Sequence, residues 1–389
     1  MSHQSVGIFT YSTVPRGSVV HAAALADALT EAGWDATLYA LHKDGRGFFR
    51  PLRARLRLVP AAPAPPTTAA LVRQRAGELT DFLAAAGADH DVLHAQDCLS
   101  ASGLLAAREA GVIHAPIART VHHLEAFADA ELSRCQNRSI RDVDFRFAVS
   151  RTTRHEVAAA FGFSCHLVGN GVDVDRLRLL DPERLAFWRT RLAGARPLVL
   201  AVGGVEPRKN SLRALQAFAC FHARRPDARL WIAGGASALD HSAYRAAYDG
   251  ALAELPPATR DAIVELGVLA EADLVALFAL ADVAMLPSLD EGFGLVALEA
   301  LAAGVPLVAS NRAPFTEFLD GGCATLVDPM SAEAIAAGLE QALAAPPARI
   351  TAGRRRAESL SWSRVAAATI DGYERVLGHA GNALRHSLA

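Results

Sequence analysis

The sequence predicts an α/β protein built from two parallel-sheet domains. Short apolar runs of strand length alternate with longer segments whose apolar residues recur at helix spacing. The alternation is interrupted at residues 181–195, which we expect to connect the domains, and it restarts at Leu198. The 389 residues suffice for two domains of ordinary size, predicted at 1–175 and 196–360.

Composition and charge exclude several classes of protein. Hydrophobic residues make up 51% and charged residues 21% of the chain, and the net charge of −2 argues against nucleic-acid binding. Charges and prolines interrupt every apolar run before it reaches membrane-spanning length, and the first residues lack the features of a signal peptide. The five cysteines stand singly, so we expect a cytoplasmic protein without a metal site.

The first domain opens with a β–loop–α–β unit. Residues 6–11 and 37–41 are apolar strand runs, and residues 19–32 carry apolar side chains on one helix face. The loop before this helix contains Arg16, either a solvated charge or a phosphate contact. The elements that follow are a helix at 71–86, a strand at 92–94, a helix at 99–110, a strand at 115–121, a helix at 124–138, a strand at 145–149 and a helix capped by Ser150 or Thr152.

An arginine-rich stretch lies between the second strand and the helix at 71–86. Its arginines at alternate positions predict a strand with a basic outer face. Such a face is typical of a solvated edge strand that discourages strand addition. The alternative is a contact with an anionic acceptor or with a membrane surface. The arginines are Arg46, Arg50, Arg53, Arg55 and Arg57.

The second domain repeats the alternation. Lys209 lies in a loop before a helix, where a cation can contact a diphosphate, although a surface lysine is the alternative. The predicted strands are 198–202, 229–233, 263–266, 283–286, 305–309 and 324–327, and the helices are 212–223, 272–280, 295–303, 332–344 and 348–359.

The most informative stretch runs from the strand at 283–286 to the strand at 305–309. Its loop contains Gly292 and Gly294, whose conformational freedom lets backbone N–H groups converge on an anion. The following helix adds its unpaired N–H groups and the positive end of its dipole. The sequence therefore predicts an anion site at the carboxyl end of a parallel strand.

Two carboxylates accompany this loop, Glu291 before the glycines and Glu299 within the helix. Because carboxylates repel phosphate, we expect their partners to be neutral hydroxyl groups of a sugar or a ribose. A ligand with phosphate in its middle and hydroxyl groups at both ends is a nucleotide sugar. Taken singly, either glutamate has an equally good interpretation as a surface residue.

The Glu291-Gly-Phe-Gly-Leu295 segment, with Glu299 and Gly304-Val-Pro306, resembles the Glu-x7-Glu signature of glycosyltransferase family 4. The resemblance extends over nearly the whole chain. It implies a GT-B fold, in which two Rossmann-like domains face a central cleft, with the final helix, 361–389, packing back on the first domain. It also implies retaining transfer of a sugar from a UDP- or GDP-sugar.

The resemblance assigns roles to individual residues. Catalytic roles fall to His122, Glu291 and Lys209, with His123 as the structural neighbour of His122. Donor-binding roles fall to Gly17, Gly203, Arg208, Lys209, Gly234, Glu291, Gly292, Phe293, Gly294, Leu295 and Glu299. The main departure is Gly204, where the family has an arginine, and either Arg208 compensates or one phosphate contact is lost.

The resemblance further implies that the donor is a substrate and that no cofactor or metal takes part. The acceptor is a hydroxyl group of a small molecule, a glycan or a lipid-linked molecule, and a peripheral membrane contact is compatible with this. Alternatives on the same fold are a sugar-nucleotide epimerase or hydrolase and a non-catalytic nucleotide-sugar-binding protein. A phosphorylase would need a pyridoxal lysine and a longer chain. The base, the sugar and the oligomeric state are not encoded in any motif.

Overall fold

The computed structural model describes residues 4–43, 45, 47–235 and 241–387, with side chains described as far as residue 378. Arg46 of the arginine-rich stretch lies outside the described residues. The chain divides into two compact units, Met1–Asn170 with Trp362–Ala389, and Gly171–Ser361.

The first unit is built around a seven-stranded parallel sheet with the order β3-β2-β1-β4-β5-β6-β7. Its strands are β1 Ser5–Thr10, β2 Asp35–His42, β3 Arg55–Pro60, β4 Val92–Ala95, β5 Ile117–Val121, β6 Phe145–Ala148 and β7 His166–Leu167. Its helices are α1 Gly17–Glu31, α2 Thr68–Ala86, α3 Cys98–Glu109, α4 Ala130–Arg141, α5 Arg151–Phe161 and the last helix of the chain, α15 Trp362–Ser387.

Both faces of this sheet are covered, as the alternation of side chains along a strand requires. Ile8 of β1 packs with α1 and with Tyr373 of α15, whereas Phe9 packs on the opposite face among residues of α2 and α3. The final helix therefore belongs to the core of the first unit, as the resemblance implies. The edge strand is β3, so the arginines at 55 and 57 lie on an edge.

The second unit contains a six-stranded parallel sheet with the order β10-β9-β8-β11-β12-β13. Its strands are β8 Leu198–Val202, β9 Arg229–Ala233, β10 Ile263–Gly267, β11 Val283–Leu286, β12 Leu307–Ser310 and β13 Thr325–Val327. Its helices are α6 Val174–Arg178, α7 Pro182–Leu192, α8 Ser211–His222, α9 Ser242–Ala253, α10 Pro257–Asp261, α11 Glu271–Leu280, α12 Leu295–Ala303, α13 Ala332–Leu343 and α14 Pro347–Glu358, with a 3₁₀ turn at Phe315–Glu317.

Several elements differ from the sequence-based prediction. Residues 181–195 do not form a plain connection, because α7 packs on α11 and Trp188 Nε1 donates to Asp273 Oδ1 at 2.9 Å. The units divide at residue 170 rather than 175, since Asp173 caps α6, a helix of the second unit. The helix predicted at 124–138 begins only at residue 130, after its N-cap, Asp129. No described helix has both the length and the apolar character to cross a membrane.

Candidate functional site

Each sheet has one topological switch point, which is the place where the strand order reverses between two neighbouring central strands. In the second unit, the chain runs outward in opposite directions from the central neighbours β8 and β11. In the first unit, the corresponding neighbours are β1 and β4. Open α/β sheets bind ligands beyond the carboxyl ends of such strands, so the residues that follow these four strands are the candidates.

The loops after β8 and β11 meet in a compact ion cluster. Lys209 Nζ donates to Glu291 Oε1 at 2.6 Å, and the Arg208 guanidinium donates to Oε2 at 2.6 Å. Ser288 Oγ donates to Glu291 Oε1 at 2.9 Å. The Glu291 residue is only 8% exposed. The structure thus brings three predicted site residues together and adds Ser288.

Electrostatics keep this buried carboxylate ionised. Burial raises the pKa of Glu291, but Lys209 and Arg208 outweigh it and hold the pKa at about 2. Three hydrogen bonds use most of the four lone-pair sites of the carboxylate, leaving room for one more donor. An ammonium group has three donors, and Glu291 takes one from Lys209 within the described part of the chain. The pair can therefore accept from a hydroxyl and donate to an anion.

Glycines let two backbone segments approach closely beside Lys209. A Cβ on Gly203, where φ is +139°, would lie 3.0 Å from Lys209 Cε. A Cβ on Gly234 would lie 2.4 Å from the carbonyl carbon of Gly203. At Gly204, where the family has an arginine, a Cβ would lie 2.1 Å from the carbonyl oxygen of Gly235. Any side chain at position 204 therefore collides with backbone unless the loop moves.

The loop before α12 divides its residues between core and site. Gly294 caps α12 with φ of +100° and offers no side-chain cap to the N–H groups of the first turn, which starts at Leu295. The Phe293 ring is buried and stacks on Phe318, with ring centroids 4.7 Å apart. The ring of Phe293 thus belongs to the core, while Gly292 is half-buried on the loop.

Glu299 is paired with an arginine and is not an isolated surface carboxylate. Arg176 donates to Glu299 Oε1 at 2.6 Å and to Glu271 Oε1 at 2.5 Å. The Glu299 side chain is 13% exposed. Because Arg176 engages one carboxylate oxygen, the other remains for a ligand hydroxyl.

The first unit gathers uncharged polar groups at its switch point. His122 follows β5, and its Nε2 lies 3.0 Å from Gln96 Oε1, on the residue after β4. His21 on α1 packs edge-on against His122 and shares a hydrogen bond with Asn170 at 2.5 Å. Burial lowers the pKa of His21 to about 4 and that of His122 well below its ordinary value. Both imidazoles are therefore neutral at pH 7.

The remaining predicted residues of the first unit are also placed. Gly17 is the first residue of α1, and nothing lies within 4 Å of a Cβ built there, so protein packing does not require this glycine. His123 Nε2 lies 3.6 Å from Glu125. Ser150 Oγ caps α5 by accepting from the amide of Thr153.

Six residues of these clusters were not predicted: His21, Gln96, Asn170, Arg176, Glu271 and Ser288. Only their positions directly after strands or on helices facing the switch point could have indicated them. Asp35 and Asp27 pair with Arg55 and Arg50, which fits the edge interpretation of the arginine-rich stretch.

The histidines with metal-motif spacing are engaged in hydrogen bonds. His90 and His94 have the spacing of a metal motif, but His94 is hydrogen-bonded to Tyr373 and Thr120 and His90 to Tyr39. Within the described residues, no group of three or more His, Cys, Asp or Glu side chains is placed to hold a metal ion.

Comparisons with known proteins cover both units. The model of glycosyltransferase family 4 matches residues 15–176, and the model of glycosyl transferases group 1 matches residues 183–357. A GDP-mannose-dependent alpha-(1-6)-phosphatidylinositol monomannoside mannosyltransferase from Mycolicibacterium smegmatis is 38% identical over 59% of this chain and 61% of its own length. A glycogen synthase from Mycobacterium tuberculosis is 32% identical over 73% of this chain and 68% of its own.

Among solved structures, sucrose-phosphate synthase from Thermosynechococcus elongatus superimposes with a TM-score of 0.77 and 21% identity. The match covers 97% of this chain and 100% of that chain. This likeness confirms the predicted fold class, GT-B with two Rossmann-like parallel-sheet domains. The two family models and the identity to glycogen synthase show that this chain belongs to the family 4-like glycosyltransferases.

Proposed function

We propose that this glycosyltransferase moves a hexose from a nucleoside-diphosphate donor to a hydroxyl acceptor with retention of configuration. The observation that carries the proposal is the pairing of Lys209 with Glu291 at the switch point of the second sheet. Lys209 offers cationic hydrogen-bond donors to the diphosphate, and Glu291 offers a carboxylate that accepts hydrogen bonds from sugar hydroxyl groups. A sugar diphosphate needs both kinds of contact.

We assign each group a role that its position supports. Lys209, Arg208 and the free N–H groups at the start of α12 stabilise the departing diphosphate electrostatically. Glu291 accepts from a sugar hydroxyl, and Glu299 accepts from the ribose. The close backbone approach at Gly203 and Gly234 leaves room for the nucleotide beside Lys209.

We propose retention because the resemblance to glycosyltransferase family 4 implies it. Glu291 already accepts hydrogen bonds from two cations and from Ser288, and so attacks an anomeric carbon poorly. We therefore propose a same-face displacement in which the leaving phosphate takes the proton of the acceptor hydroxyl. The neutral His122 accepts or donates one hydrogen bond to the sugar in this scheme, without holding charge.

The test is donor binding and slow donor hydrolysis across GDP-, UDP- and ADP-sugars. GDP-mannose is tried first, because it is the donor in the name of the mycobacterial relative. We expect one donor to bind and Lys209→Gln to weaken it at least about 100-fold, as loss of a charge-assisted contact to diphosphate predicts.

Arg213→Gln is the matched control, since Arg213 lies on α8 and donates to Asn210 rather than to the cluster. It should leave donor affinity within about twofold. If no nucleotide sugar binds, the transferase proposal falls. Binding without any hydrolysis or transfer to a panel of sugar and lipid acceptors favours the non-catalytic alternative.

A further inference from the structure

The chain uses lysine at two positions only. Of its 39 lysines and arginines, the two lysines are Lys43 and Lys209. Arginine therefore supplies almost every positive charge in this protein. A compact ammonium group differs from a guanidinium in shape and hydration. One of the two lysines lies in the proposed diphosphate site.

Lys43 lies at the carboxyl edge of the sheet of the first unit. It follows β2 directly, one strand away from β1. Lys43 Nζ lies over the ring of Tyr11, 5.0 Å from its centroid, and Tyr11 follows β1. The ammonium group therefore leans toward the switch point between β1 and β4.

Positive charge exceeds negative charge around this point. Partial burial of the ammonium lowers the pKa of Lys43, and Arg75 and Arg16 lower it further against the opposing effects of Asp97 and Glu78. Arg75 is neutralised, since it is buried and donates to Glu78 at 2.6 Å. Among the described residues, neither Arg16 nor Lys43 has a carboxylate within ion-pair distance.

The two carboxylates that act on Lys43 within the described residues are both engaged, Glu78 by Arg75 and Asp97 by the groups around it. Asp97 Oδ1 accepts from the Ser100 amide at 2.8 Å, and Oδ2 accepts from the Tyr11 amide and from Ser100 Oγ, both at 2.9 Å. Asp97 thus caps α3 and fixes the end of β1. Two accessible cations remain beside the open space above Gly17.

Buried polar groups without partners line the same edge. Thr10 Oγ1, at the end of β1, and Gln96 Nε2, after β4, are fully buried and lack hydrogen-bond partners among the described residues. Unsatisfied buried donors are costly in a folded protein. A ligand bound beyond the carboxyl ends of β1 and β4 would supply hydrogen-bond acceptors for these two groups.

We propose that Lys43 and Arg16 bind a phosphate group on the acceptor. This rests on the proposed function and narrows its acceptor to an anionic hydroxyl compound. Tyr11 follows β1, two strands from β5 and His122 in the sheet order. At about 4.8 Å per strand spacing, the phosphate and the receiving hydroxyl are roughly 10 Å apart.

The experiment titrates glycerol 3-phosphate, with neutral glycerol as its control, into the full chain by calorimetry. The parent and every variant in this titration carry Lys209→Gln, so that phosphate binding in the second unit is weakened and does not mask the first unit. We expect Lys43→Gln and Arg16→Gln each to weaken binding at least about tenfold. Arg53→Gln, an exposed arginine that pairs with Glu31 at 2.9 Å, is the matched control and should change little.

Vesicles distinguish the source of the phosphate. Lys43-dependent binding to phosphatidylinositol vesicles, and not to phosphatidylcholine vesicles, assigns it to a lipid headgroup. Lys43-dependent binding of glycerol 3-phosphate alone assigns it to a soluble acceptor. Circular dichroism melting of Lys43→Gln and of Lys43→Arg separates loss of the contact from loss of folding.

The proposal is overturned if both glutamine variants bind glycerol 3-phosphate and vesicles as their parent does, or if the parent binds neither at about 10 mM phosphate. Failure of the proposed function is separate. Nucleoside diphosphates titrated into chains with intact Lys209 report on the second unit, and Lys43→Gln should leave that affinity unchanged. Lys43-dependent phosphate binding without nucleotide binding would retain this inference and reject the donor assignment.

Discussion

The two units have the same scaffold but differ in the charge of the groups at the centre of each site. Each is a parallel sheet with a switch point at its centre. In the second unit the central loops pair ions, with Glu291 held ionised between Lys209 and Arg208. In the first unit the groups around His122 are neutral imidazoles and amides, His21 and Gln96 among them, while the cations Arg16 and Lys43 lie on the side of β1 and β2.

The difference agrees with the rule that a Rossmann-like sheet determines where a ligand site lies, while the side chains after its central strands determine the chemistry of that site. Ion pairs suit a diphosphate and its ribose, whose charge and hydroxyl groups must both be matched. Neutral hydrogen-bonding groups suit an uncharged sugar at the reacting carbon, because a fixed charge there would have to be desolvated. The two clusters should therefore respond differently to mutation and to pH.

We expect the largest effect from a mutation that breaks the ion cluster. Glu291→Ala leaves Lys209 and Arg208 without their anion, and we expect the second unit to lose about 3 to 4 kcal/mol of stability, as for other nearly buried pairs that lose one partner. Hydrogen exchange read by mass spectrometry measures each unit separately. Peptides of the first unit should be unaffected.

Glu31→Gln is the control for this variant, because Glu31 forms an exposed pair with Arg53. Its cost should stay within about 0.5 kcal/mol. Equal costs for the two variants would mean that burial of the Glu291 cluster has no energetic weight.

The second prediction uses pH to separate the units. His21 is held neutral to about pH 4 in the folded chain but titrates near 6.5 when unfolded, so the unfolded state binds more protons between these values. Stability of the first unit should therefore fall as pH drops from 6.5 to 4, by about 3 kcal/mol in all. The contribution of Glu291, with its lowered pKa, is lost only between pH 4.5 and about 2.

Exchange at pH 7 and pH 4.5 tests this, because Glu291 stays ionised in that window and four of the histidines with a lowered pKa lie in the first unit, against His222 alone in the described part of the second. His94 and His122 have pKa values lowered in the same direction and add to the slope. His21→Leu should flatten the dependence whatever it does to stability at pH 7. Parallel loss in both units would contradict the comparison.

Much of the fold was readable from the sequence because apolar periodicity follows from burial. The strands 198–202, 229–233 and 283–286 and the helix 295–303 coincide with the observed elements. Prediction failed where capping or tertiary contacts decide. Asp129 starts α4 six residues late, and α7 exists because Trp188 is buried against α11.

The site was only partly readable for a related reason. A motif can bring Glu291 to a strand end, but it cannot say that the same carboxylate binds Lys209 from a loop 82 residues away. Arg176 and Glu299 are 123 residues apart in sequence and meet only through the packing of α6 on α12. His21 lies in an apolar helix pattern that predicts core, and its partner Asn170 is 149 residues distant.

The third prediction concerns glycines of the two units. Gly204→Ala places a Cβ against the Gly235 carbonyl, so we expect about tenfold weaker donor binding, and Gly204→Arg should not restore a family-like phosphate contact. Gly17→Ala is the matched case in the first unit, where a Cβ meets nothing. It should be neutral or stabilise α1 by up to about 1 kcal/mol. Donor titration and thermal melting measure both, and unimpaired donor binding by Gly204→Ala would refute the close approach.

We expect the smallest effect from a mutation of the Arg176–Glu299 pair in the second unit. Arg176 holds one oxygen of Glu299, so Arg176→Gln should free that carboxylate to rotate and raise the KM for the donor about fivefold, with kcat little changed. The discriminating readout is the preference for a ribonucleoside diphosphate over its 2′-deoxy and 3′-deoxy analogues, which should shrink, since Glu299 is proposed to contact the ribose. Arg178→Gln, on the same helix but in an exposed pair with Glu358, should change neither value. If Arg176→Gln keeps full ribose preference, the Arg176–Glu299 pair is structural, and the ribose is held elsewhere in the second unit.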